Sequence, residues 1–195
     1  MNQVWKKTVM GIIWSLVLML AGTILAGIMS VLAVAGGLLG SGGAFGAFGV
    51  MAIIFVLAAL GGYIWFFINL SQFIPQQKTP EDRSAISNVR TAYIISLVGT
   101  ILGLIPVAGI FLALICGLIS SILLIIAYGN FSNSQAMNGT GRSGASLLKT
   151  AAIISLVCSI LSIIPILNIL AIIGQIVALI LIFMGWSKVS NGMDY

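Results

Sequence analysis

Histidine is absent, and acidic residues number three in 195, against eight lysines and arginines. Without an imidazole there is no His-based metal site and no Ser–His or Cys–His nucleophile. Two of the acids, Glu81 and Asp82, are adjacent in sequence, so on a helix they point about 100° apart and do not form a facing catalytic pair. The two cysteines, Cys116 and Cys158, lie inside apolar runs without metal-like spacing, which argues against a disulfide framework. Charged residues make up 6% of the chain, where a soluble domain carries roughly 25%. No cofactor, no metal, no nucleic-acid partner and no enzymatic activity are expected from this inventory. The net charge of +5 is read as a matter of membrane topology.

What the sequence has instead is apolar length. Hydrophobic residues are 61% of it, laid out in long runs, which predicts an all-α polytopic membrane protein. Its organising stretch is Ile94-Ile-Ser-Leu-Val-Gly-Thr-Ile-Leu-Gly-Leu-Ile-Pro106, which returns as Ile153-Ile-Ser-Leu-Val-Cys-Ser-Ile-Leu-Ser-Ile-Ile-Pro165 with nine of thirteen positions identical. A basic residue and a threonine precede each copy (Arg90-Thr91, Lys149-Thr150). Recurrence of this kind marks one supersecondary unit used twice.

The apolar runs Thr91–Tyr128 and Thr150–Ser187 are each 38 residues long. A straight helix of that length would measure roughly 57 Å, against a hydrocarbon core of roughly 30 Å. Each run therefore folds back, at Ile105-Pro-Val-Ala-Gly109 and Ile164-Pro-Ile-Leu-Asn168, because proline interrupts a helix and Gly and Asn accept turn geometry. Six spans follow, as three hairpins: residues 8–73, 91–130 and 149–189. The last two form an internal repeat, and the Lys7-Thr8 and Ile12–Val17 words suggest the first as a degenerate third copy. The first apolar run, Val9–Ala35, has 27 residues and exceeds the roughly 7–15 of a signal-peptide core, so it is read as a retained span.

Between the hairpins, residues 74–90 are expected to form a polar loop with an amphipathic lead-in helix. Thr79 reads as its N-cap, Pro80 as its first residue, and Glu81 and Asp82 as first-turn carboxylates. Residues 131–148 are read as a flexible loop. The segment Gly36–Gly49, with seven glycines in fourteen residues, is read as a flexible linker, since it lacks the Gly-Lys-Ser/Thr ending of a phosphate-binding loop.

All eight basic residues fall in the N-terminus, the loops after spans 2 and 4, or the C-terminus. The positive-inside rule then puts both termini in the cytoplasm, in a cell (inner) membrane. Trp5, Tyr93, Tyr128 and Trp186 fall near the same span ends, where amphipathic rings settle. Inside the spans, small residues are spaced for close helix packing: Gly99 and Gly103, Gly117 and Ser121, Cys158 and Ser162, and Gly174. Gln175, the most polar mid-span side chain, is expected to hydrogen-bond a neighbouring serine (Ser120, Ser155 or Ser159).

The Ile-Pro-Val-Ala-Gly turn followed by an apolar span ending in Ala-Tyr-Gly-Asn-Phe-Ser resembles small prokaryotic multi-span membrane proteins of uncharacterised function. The resemblance covers roughly Arg90–Asn133 and its second copy, and implies a bacterial or archaeal origin and no functional residues. Mitochondrial carriers share a three-hairpin layout, but their proline–acid–base motif is absent at Pro106 and Pro165. The expected role is a non-catalytic structural or interaction component that packs with lipid and with itself or another membrane protein. Glu81, Asp82 and Arg83 are a candidate docking segment. A pore or transporter for a small neutral solute is the alternative, and would need Gln175, Thr100 and the serines to face one cavity.

Overall fold

The computed structural model describes residues 2–40, 42–102, 105, 108–161, 164 and 167–192. Among these there is no strand. Six helices carry the fold: α1 Asn2–Leu38, α2 Gly42–Phe73, α3 Pro80–Leu102, α4 Ala108–Ser132, α5 Gly139–Leu161 and α6 Asn168–Ser190, with a short 3₁₀ turn at Ile74–Gln76. Each of the six is long and apolar enough to cross a membrane. With no water to satisfy backbone groups in hydrocarbon, the helix is the form that pairs every N–H and C=O within one segment. The 38-residue runs are broken where expected, between Leu102 and Ala108 and between Leu161 and Asn168. Ile105 and Ile164 close these ends by donating to the Leu102 and Leu161 carbonyls, both at 3.0 Å. The two prolines lie outside the described residues.

Three expectations are corrected. The glycine-rich stretch is mostly helix: α1 continues to Leu38 and α2 begins at Gly42. Gly40 takes the left-handed conformation (φ 74°) that a side chain disfavours. Seven glycines lower helix propensity, but in an apolar medium an open backbone is the costlier alternative. At 1.5 Å per residue α1 is about 55 Å long and α2 about 48 Å, against roughly 35–38 Å for the other four.

The expected flexible loop over 131–148 is also mostly helix. Only residues 133–138 separate α4 from α5, and Ser134 and Met137 within them are buried. Asn138 caps α5 through Oδ1, which accepts from the Gly141 N–H at 3.0 Å, and its own N–H donates to Gly192 O at 2.9 Å. The lead-in helix of 80–90, finally, is no separate element. It is the first half of α3, with its stripe of Ala85, Ile86 and Val89 buried.

The chain divides into two compact units, Met1–Met10 with Leu70–Tyr195, and Gly11–Asn69. In the second, α1 and α2 approach closely at two glycines. A Cβ on Gly22 would come 2.7 Å from Ala59 N, and one on Gly62 would come 2.7 Å from Met19 N. In the first, α4 lies against α3 and against α5, and α5 against α6. The Ser120 hydroxyl donates to Ala92 O on α3 at 2.8 Å, a buried bond between helices.

An aromatic cluster closes the polar end of this unit. Phe73 stands at its centre, with ring centroids 4.4 Å from Trp5, 5.9 Å from Trp186 and 6.3 Å from Phe131. Trp5, Trp186 and Tyr128 are buried, so these rings form an inward core and not the outward belt their positions suggested. Three of the four polar tips are paired, while the Trp186 Nε1 is buried with no acceptor among the described residues. Trp5 Nε1 donates to Val189 O at 3.1 Å, and the Tyr93 and Tyr128 hydroxyls bond each other.

Candidate functional site

The start of α3 borders a polar groove of about 860 Å³ lined by Thr79, Pro80, Glu81, Asp82, Ser84, Asn130, Asn133, Ser134 and Gln135. Its floor is built by the cap. Thr79 Oγ1 accepts from the Asp82 N–H at 3.1 Å, and Thr79 O from the Arg83 N–H at 3.1 Å, so two donors at the helix start are satisfied.

Ser134 ties the walls together. Its hydroxyl donates to Asp82 Oδ2 at 2.6 Å and accepts from the Ala136 N–H at 3.2 Å, while its carbonyl accepts from Arg142 Nε at 2.8 Å. The loop after α4 is thereby fastened to the first turns of both α3 and α5. Asp82 is 2% exposed and committed to this network. Of the candidate docking residues, Glu81 remains exposed on the groove. Arg83 is exposed but does not line it, and its Nε donates to Gln77 O at 3.0 Å. The groove therefore offers a carboxylate, hydroxyls and the amides of Asn130, Asn133 and Gln135.

The small residues divide into two sets. Gly99 is buried, and a Cβ there would come 2.6 Å from the Cys116 Cβ; Gly174 faces the buried Cys158 sulfur. Gly117, by contrast, is exposed with open space around it, and Ser121 donates at 2.9 Å to the Gly117 carbonyl of its own helix. Gly117 thus has no close neighbour among the described residues, and Ser121 is half-buried. Gly103 and Ser162 lie outside the described residues. Gln175 is exposed, and its Nε2 donates to the main-chain oxygen of Ser155 at 3.4 Å, a bond to a neighbouring serine's backbone. Thr100 and Ser159 are exposed as well.

Sequence reading passed over two close approaches to backbone. A Cβ on Gly144 would come 2.6 Å from Gly185 O and 2.8 Å from Val189 N, and one on Gly141 would come 2.6 Å from Gly192 O. Gly141 and Gly144 sat in the segment read as a flexible loop. The available signal was their spacing, Gly141 and Gly144 one helical turn apart at the start of a basic-flanked apolar run. No known protein-family model, curated protein or solved structure matches this chain.

Proposed function

We propose that this protein is a non-catalytic component of the cell (inner) membrane, built from three related helical hairpins with both termini cytoplasmic, and that it works by binding a protein partner at the α3 groove. The observation that carries the hairpin reading is a shared burial register, and the groove with its exposed Glu81 carries the binding role. The buried set of α3 (Asp82, Ala85, Ile86, Val89, Ala92, Gly99) recurs on α5 fifty-nine residues later as Gly141, Gly144, Ala145, Leu148, Ala151 and Cys158. The same spacing is found on α1 as Trp5, Thr8, Val9, Ile12, Ser15 and Gly22.

The even helices follow with a constant step of 58 residues. Gly62, Ser120 and Ala178 correspond, as do Leu70, Tyr128 and Trp186, and Phe73, Phe131 and Val189; all nine are buried. Caps and cations repeat too, with Thr79 matched by Asn138, Arg83 by Arg142 and Arg90 by Lys149. At one level in each hairpin a glycine closes the pair: Gly22 on the α2 backbone, Gly99 on Cys116, Gly174 on Cys158. Such contacts favour packing over passage, and the outward placement of Thr100, Ser159 and Gln175 weighs against a solute path within one chain.

The orientation is checked by cysteine labelling at Ser41, Ala108 and Asn168, expected to react from outside the cell, with Lys78→Cys reacting only after permeabilisation. A reversed pattern would invert the topology. The binding role is tested with a photo-crosslinking amino acid at Glu81 in native membranes. A discrete protein adduct that disappears with Gln135→Arg is expected. Crosslinks to lipid alone would sink the groove as a partner site.

A further inference from the structure

We propose that Arg90 and Lys149 each hold the phosphate of one anionic phospholipid, in the leaflet at the polar ends of the helices. Each stands eleven residues beyond its cap, Thr79 or Asn138, about 16 Å along the helix. Beyond them only 12 residues of α3 or α5 remain, nearly all apolar. Both side chains are half-buried. A charge taken this far from water needs a counter-charge.

Among the described residues there is none beside either side chain. The described acids, Glu81 and Asp82, sit in the first turn of α3, and Asp82 is taken by Ser134. Arg90 Nε is buried with no acceptor among the described residues. The Lys149 stem lies along bare backbone, its Nζ 3.7 Å from where a Cβ on Gly129 would be. Three other cations on α3, α5 and α6 are already engaged: Arg83 and Arg142 donate to main-chain carbonyls and Lys188 to the Ser143 hydroxyl. Arg90 and Lys149 are thus the deepest cations on their helices and have no counter-ion among the described residues. At the boundary of hydrocarbon and water the matching anion is a lipid phosphodiester. A lipid with net negative charge is favoured over a zwitterion, whose own cation competes for the phosphate. Basic side chains near an anionic leaflet gain about 1 kcal/mol each, which corresponds to about fivefold in affinity.

The test is native mass spectrometry of the full chain released from nanodiscs of mixed phosphatidylglycerol and phosphatidylcholine. Two phosphatidylglycerol molecules per chain are expected to be retained in preference to phosphatidylcholine. Arg90→Gln or Lys149→Gln should each remove one, and the double variant both, with helicity by circular dichroism unchanged. The charge-conserving pair Arg90→Lys and Lys149→Arg should keep both lipids, which separates charge recognition from a packing defect. Equal retention of the two lipids would overturn the proposal, as would a double Gln variant that still holds two. Displacement by millimolar inorganic phosphate would also overturn it, because that outcome describes a soluble-anion site.

Discussion

Gly144→Leu is expected to abolish a monodisperse folded species in detergent, whereas Gly117→Leu leaves it unchanged. At Gly144 the first side-chain atom would lie 2.6 Å from the Gly185 carbonyl oxygen and 2.8 Å from the Val189 nitrogen. Both are backbone atoms of the facing helix and cannot rotate away. α5 and α6 would have to separate along their polar half, and the loss would exceed the usual overpacking penalty of about 1–3 kcal/mol. Gly144→Ala should already lower the unfolding temperature, since its Cβ alone meets these atoms. Gly117 has nothing within 4 Å of its would-be Cβ, so an added side chain meets the surroundings of the bundle and the effect stays within about 0.5 kcal/mol. Size-exclusion profiles and thermal unfolding of the two variants side by side decide the matter. Equal behaviour would mean that the α5–α6 approach is looser than described.

The second large effect is expected at Trp5→Ala. Trp5 is 1% exposed, its ring lies 4.4 Å from that of Phe73, and its Nε1–H donates to Val189 O at 3.1 Å near the end of α6. One side chain therefore ties the first turns of α1 to residues near both ends of the first unit. Truncating a buried aromatic costs about 3–5 kcal/mol, and here the Val189 carbonyl also loses its donor. Trp5→Phe keeps the ring contact and loses only the hydrogen bond, worth about 1 kcal/mol. Thermal unfolding should rank parent, Phe and Ala in that order, with the larger gap to Ala. A Trp5→Ala variant as stable as the parent would make the N-terminal turns dispensable.

The sequence by itself determined the number of helices, where the two long runs break, and the capped start of α3. These follow from quantities that depend on the chain alone. Apolar length is measured against a membrane of known thickness, and Thr79-Pro80 with two following acids is a local cap that needs no distant partner. Glycine was where local reasoning failed. In Gly36–Gly49 and Gly139–Gly144 it was read for backbone freedom, and both stretches are largely helical. What glycine contributes at 144 and 185 is the lack of a side chain where another helix passes, and that depends on which helix passes there.

The same holds for the groove. Glu81, Asp82 and Arg83 read as one charged segment, yet they differ in role once α4 and its loop are in place. Asp82 meets Ser134, fifty-two residues away, while Glu81 stays exposed. Trp5 and Trp186 likewise read as interface anchors and became core, because Phe73 and Tyr128 supplied ring partners that sequence spacing does not show. Local pattern fixed how many helices there are, where the two long runs break and where α3 begins. Which face is buried, and so which small or polar residue matters, was decided only when the helices met, because burial is a property of the pair and not of either sequence alone.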